Sequence, residues 1–101
     1  MVTAARLSLE TDLTIYFAAD LKQQLLDAVR GNEVLELDLS RVAEMDTAGF
    51  QLLALAKRES LKLDHALRIV GHSSVVREVI EFFNMVAFFG DPLVIQANEN
   101  A

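Results

Sequence analysis

Apolar positions along the chain switch between a period of two and a period of three to four, the pattern of strands alternating with helices. Residues 4–10, AARLSLE, put Leu7 and Leu9 on one face and predict an opening strand. In residues 17–30, Phe17, Leu21, Leu25, Ala28 and Val29 recur at spacings of three and four and predict the buried face of a helix. Asp20, Lys22, Gln23, Gln24, Asp27 and Arg30 fall on its solvent face. Gly31-Asn32 predicts the helix end, at a residue free to adopt positive φ. Residues 33–39 form a second strand, with Leu35, Leu37 and Leu39 on one face and Val34, Glu36 and Asp38 on the other. The mixed second face predicts a strand not wholly covered on both sides.

Residues 40–46 connect, with Val42 and Met45 plugging the gap beneath the next helix. That helix runs from about Thr47 to Leu63, and from Ala48 to Ala56 only Gln51 is polar. A helix so apolar is buried or offers one face to a partner. Beyond it, Lys57, Arg58, Glu59, Ser60 and Lys62 are expected in solvent. Residues 66–70, ALRIV, predict a third strand; GHSSVVREVIEFF predicts a turn and a helix capped by Ser73 or Ser74. Its buried face is expected to comprise Val75, Val76, Val79, Ile80, Phe82 and Phe83. Residues 84–92 are expected as a loop stopped by Gly90 and Pro92, and residues 93–96, LVIQ, as a last strand before a fraying polar end. The alternation implies right-handed crossovers and a mainly parallel sheet.

The centre of the pattern is Asp46-Thr47-Ala48-Gly49, where two polar side chains, a small residue and a glycine open the apolar helix. Side-chain oxygens at that place accept hydrogen bonds from free first-turn amides. The same amides and the helix dipole favour an anion. Gly49 in the first turn costs about 1 kcal/mol relative to Ala, which close approach of another backbone, within the fold or from a partner, would offset.

This stretch resembles the signature of the STAS domain, the fold of bacterial anti-sigma factor antagonists and of the tails of sulfate transporters. The resemblance rests on Asp38-Leu39-Ser40, then Val42, then Met45-Asp46-Thr47-Ala48-Gly49-Phe50. It extends over nearly the whole chain and is sharpest from about residue 35 to residue 56. It implies an α/β fold: a mainly parallel sheet of four or so strands, with three to four helices packed mostly on one face. The family commonly has one further strand before the first one here, so that sheet edge is expected to be bare or shared with a partner.

In antagonists of the family, the residue after the Asp is the serine or threonine that a partner kinase phosphorylates; the resemblance places that role on Thr47. It implies docking through residues 11–16 and the start of the helix, with Asp12, Thr14, Ile15, Tyr16, Asp46, Thr47, Ala48, Gly49 and Phe50 as contact residues. The loop usually carries Gly-Glu-Leu-Asp; here Thr11-Asp12-Leu13-Thr14 lacks the glycine and keeps the apolar anchor. Ile15 and Tyr16 either line the core or form an exposed apolar contact; Phe50 and Leu53 read as core, with Phe50, if partly exposed, the apolar anchor for a partner. The implied partners are a kinase-like anti-sigma factor, or a related signalling ATPase, and a phosphatase acting on Thr47. Chemotaxis-associated single-domain relatives look similar. Relatives in bacterial lipid-transport ABC complexes carry a like Asp-Thr-x-Gly and bind the ATPase subunit without phosphorylation.

Composition narrows the alternatives. The 101 residues predict one small domain, monomeric or weakly dimeric, and 52% hydrophobic content fits a compact fold. No apolar run approaches the roughly 20 residues of a membrane span, and the first residues lack a signal-peptide core, so a cytoplasmic location is expected. Absence of cysteine excludes disulfides and thiol chemistry. A net charge of -6 without a basic run argues against nucleic acid. Gly71-His72-Ser73-Ser74 mimics a phosphate cradle but lacks the Lys and second glycine at the required spacing. His65 and His72 have no convergent third group, so neither a metal site, a cofactor nor a catalytic triad is expected, and the chain reads as a binding module rather than an enzyme.

Overall fold

The computed structural model describes residues 4–89, with side chains as far as Asn84. Its elements follow the order β1 (Ala5–Ser8), α1 (Ala18–Gly31), β2 (Val34–Leu39), α2 (Thr47–Lys62), β3 (Ala66–His72) and α3 (Ser74–Phe89). The described strands form one parallel sheet ordered β1-β2-β3. Steady progression in one direction through right-handed crossovers puts successive helices on the same side. Leu35, Leu37 and Leu39 of β2 are buried on that side with Leu21, Leu25 and Val29 of α1 and Phe50, Leu53 and Ala56 of α2. Val34, Glu36 and Asp38 are only half-buried, as the mixed face of β2 predicts. The expected strand at 93–96 lies outside the described residues.

Several expectations need correction. α1 leaves through Asn32 at φ -139°, not through a left-handed residue. The Asn32 side-chain amide donates to the Ala28 carbonyl at 2.8 Å, so the helix end is satisfied without a positive φ. Phe17 is not on the buried face of α1; it precedes the helix and is exposed. Ser60, expected in solvent, is fully buried, and its hydroxyl donates to the His65 carbonyl at 2.9 Å. Lys57 is half-buried and reaches the Leu67 carbonyl at 2.9 Å, while Glu59 pairs with Arg30 at 2.9 Å, tying α2 to α1.

β3 also continues past the expected turn at Gly71. Its register against β2 shifts between Leu37↔Ile69 and Asp38↔Gly71, leaving Val70 as a bulge. A side chain at Gly71 would collide with the Asp38 carboxylate, which accepts from the Ser40 amide at 2.9 Å. α3 runs through residues 84–89 instead of yielding to a loop, because Asn-Met-Val-Ala-Phe-Phe contains no helix breaker before Gly90.

The turn after α2 holds Asp64 at φ 60°, a left-handed conformation that Asp tolerates better than most residues. Asp64→Ala is therefore expected to cost about 1 kcal/mol, with Asp64→Asn close to neutral. Urea denaturation of both variants checks this; equal stability would mean that the turn does not discriminate.

Candidate functional site

The Asp46–Gly49 corner is built by two segments distant in sequence. Leu13 forms an isolated parallel bridge with Met45, donating to the Glu44 carbonyl at 2.9 Å and accepting from the Asp46 amide at 3.1 Å. Asp12 accepts from the Glu44 amide at 3.2 Å. The Asp46 carboxylate then joins both segments: one oxygen accepts from the Gly49 amide at 3.0 Å, capping α2, and the other accepts from the Ile15 amide at 3.0 Å. Gly49 makes this possible. A Cβ there would strike the Leu13 carbonyl oxygen and lie 2.7 and 2.8 Å from Leu13 C and Cβ. The close backbone approach comes from within the fold.

The Asp46 carboxyl is held below the usual carboxylate range, first by the Gly49 amide and further by the Ile15 and Ala48 amides, against an opposing effect of burial. A depressed folded pKa contributes stability that is complete above the unfolded value near 3.8 and is lost as pH falls through the lower folded value. Asp46→Asn is expected to remove that part of the acid sensitivity, and Asp46→Ala to lower stability by about 1–2 kcal/mol. Denaturation between pH 3 and 7 tests the sign: a wild-type advantage that grows on acidification would refute it.

By accepting from the Gly49 amide, Asp46 gives α2 a built-in anion at its start. Thr47 is exposed and Ala48 half-buried. The open alternatives for the loop resolve toward the surface: Ile15 is 64% exposed and Tyr16 is 89% exposed, at a turn closed by Phe17 donating to the Thr14 carbonyl at 3.0 Å. Asp12 and Thr14 are half-buried.

Phe50 and Leu53 resolve the other way. Phe50 is 0% exposed, stacked on Phe83 at 4.4 Å between ring centroids, so it anchors the core and is not open to a partner. Gly49 is likewise buried beneath Leu13.

Phe82, like Phe17, is misassigned by the pattern. Expected in the core, it is 61% exposed. It lines an open groove of about 290 Å³ between the start of α2 and α3, together with Met45, Asp46, Thr47, Glu78, Val79 and Phe83. The spacing of Val76, Val79, Ile80 and Phe83 marks the buried face of α3 and puts Phe82 at its margin, one turn beyond Glu78; stacking on Phe50 holds Phe83 inside.

The remaining candidates are structural. Ser73 caps α3, accepting from the Val76 amide at 3.2 Å. His65 Nδ1 lies 2.9 Å from the Val29 carbonyl. Burial, with help from Arg77 and against Glu81, pushes the pKa of His72 down. Among the described residues, no cluster of His, Cys, Asp and Glu could hold a metal ion, and no helix is long and apolar enough to cross a membrane.

Among the described residues, this arrangement is a three-stranded parallel sheet covered by helices, an α/β domain with an exposed hydroxyl at a capped helix start. Residues 2–94 match the family model described as "Mlab, STAS domain", and the chain belongs to this family. Among solved structures, it is similar to the anti-sigma factor antagonist SpoIIAA in its unphosphorylated form, with a TM-score of 0.67 and 21% identity over 84% of this chain and 77% of that one. A comparison with curated proteins finds no match.

Proposed function

We propose that the chain is a single-domain regulatory docking module of cytoplasmic signalling, without catalysis of its own, switched by phosphorylation of Thr47. In this reading it resembles an anti-sigma factor antagonist. A kinase-like anti-sigma factor or related signalling ATPase docks on the unmodified corner and phosphorylates it, and a phosphatase restores it. The observation that carries this reading is the exposed Thr47 beside an apolar turn, Ile15-Tyr16-Phe17, whose backbone is pinned to Asp46. Exposed aromatic and aliphatic side chains supply contact energy. A phosphate adds about -1.5 to -2 charges. Burying that hydrated dianion under an apolar contact would cost the complex its affinity, while the exposed position spares the fold.

Incubation with a kinase-type ATPase of the same cell and ATP, followed by intact-mass and fragment analysis, tests the switch. One phosphate on Thr47 and none on Thr47→Ala is the expected result. Phosphate elsewhere, or none, overturns it.

A second reading, a constitutive subunit bound to the ATPase of an ABC-type lipid transporter, is favoured by the apolar extent of the Ile15–Phe17 turn together with Phe82, because permanent interfaces are more hydrophobic than transient ones. Stable co-purification with an ABC ATPase, with Thr47 unmodified, would select it.

A further inference from the structure

We propose that the groove between α2 and α3 receives an apolar side chain of the docking partner with a Lys or Arg beside it. This deepens the docking reading and rests on it, but does not depend on phosphorylation. The groove has an apolar lining from Val79, Phe82 and Phe83, and its charged lining residues are Asp46 and Glu78. Its described lining residues include no Lys or Arg.

Asp46 remains ionised in its backbone amides. Glu78 is exposed and absent from the side-chain ion pairs found among the described residues. The chain around them carries a net charge of -6. An acidic partner segment would meet like charge, whereas a cation beside an aliphatic side chain would match both the lining and its charge. Phe82, more than half exposed and edge-on to Phe83 at 5.3 Å, provides the aromatic surface for the apolar group. Phosphate on Thr47, in the same lining, would add attraction for that cation, so the ending of docking rests on desolvation of the dianion against the apolar turn and not on charge in the groove.

The test uses two blocked tetrapeptides, acetyl-Ala-Leu-Arg-Ala-amide and acetyl-Ala-Leu-Glu-Ala-amide, titrated into the full isotope-labelled chain and followed by backbone amide NMR. The Arg peptide is expected to shift signals of Asp46–Gly49 and Glu78–Phe83, and to bind at least about fivefold tighter than the Glu peptide. Glu78→Gln should reduce that preference, and Phe82→Ala, shown folded by circular dichroism, should abolish the shifts. Absent shifts, shifts confined to other surfaces, equal binding of the two peptides, or unchanged binding by Phe82→Ala would overturn the inference. Its failure is separable from that of the switch: phosphate found on Thr47 with an inert groove leaves the switch standing, and peptide binding without phosphate leaves the groove standing.

Discussion

Gly49→Ala is expected to lower stability by about 3 kcal/mol, near the top of the range for overpacking, and the melting temperature by roughly 12–24 °C. An exposed helix interior would gain from this substitution because Ala is the better helix former. Here the added methyl meets the Leu13 backbone, which has little room to yield. Leu13 is fully buried, bridged to Met45, and bonded through its amide and carbonyl to Glu44 and Asp46. Displacing it would loosen the Ile15 amide from Asp46 and, with it, the turn that presents Tyr16. The effect should therefore appear twice: in thermal denaturation, and in faster amide exchange at residues 12–16 within the remaining folded population. A variant as stable as the wild type would mean that Leu13 does not lie over the start of α2.

Thr47→Glu is expected to reduce affinity for the proposed partner ATPase by about a hundredfold or more, equivalent to roughly 2.7 kcal/mol, while leaving the melting temperature within about 3 °C of wild type. The two halves have separate causes. Thr47 is the first residue of α2 and exposed, so a carboxylate there meets the favourable end of the helix dipole and disturbs no packing. In a complex, the same carboxylate would lose its water beneath the apolar contact made over Ile15, Tyr16 and Phe17. Thr47→Ser should retain docking, since it keeps the hydroxyl and deletes only a methyl group. Calorimetric titration of the three forms measures the first effect, and thermal denaturation the second. Unchanged affinity of a folded Thr47→Glu would remove this corner from the interface.

The fold was legible where local chemistry and periodicity coincide. Alternating leucines announce β2, and Asp46 before an apolar run announces the start of α2. The need for a close neighbour at Gly49 was also legible, because a glycine in the first turn is otherwise a cost; its identity, Leu13, was not. The candidate site was legible in part. Thr47 and the loop at 12–16 could be singled out by resemblance, but the roles of their neighbours depended on facing, which neither composition nor spacing specifies.

By itself, the order of apolar and polar residues determined the succession of strands and helices, a sheet face covered from one side, and a capped helix start carrying a hydroxyl. Only tertiary structure decided that Phe50 and Phe83 stack while Phe82 faces outward, that Ser60 is buried, and that Ile15 and Tyr16 stand in solvent. The reason is physical. Periodicity records which positions share a side of one element. Burial depends on what packs against that side, and the margin of the apolar face of α3 and a turn stabilised by a distant carboxylate both leave that choice to their neighbours.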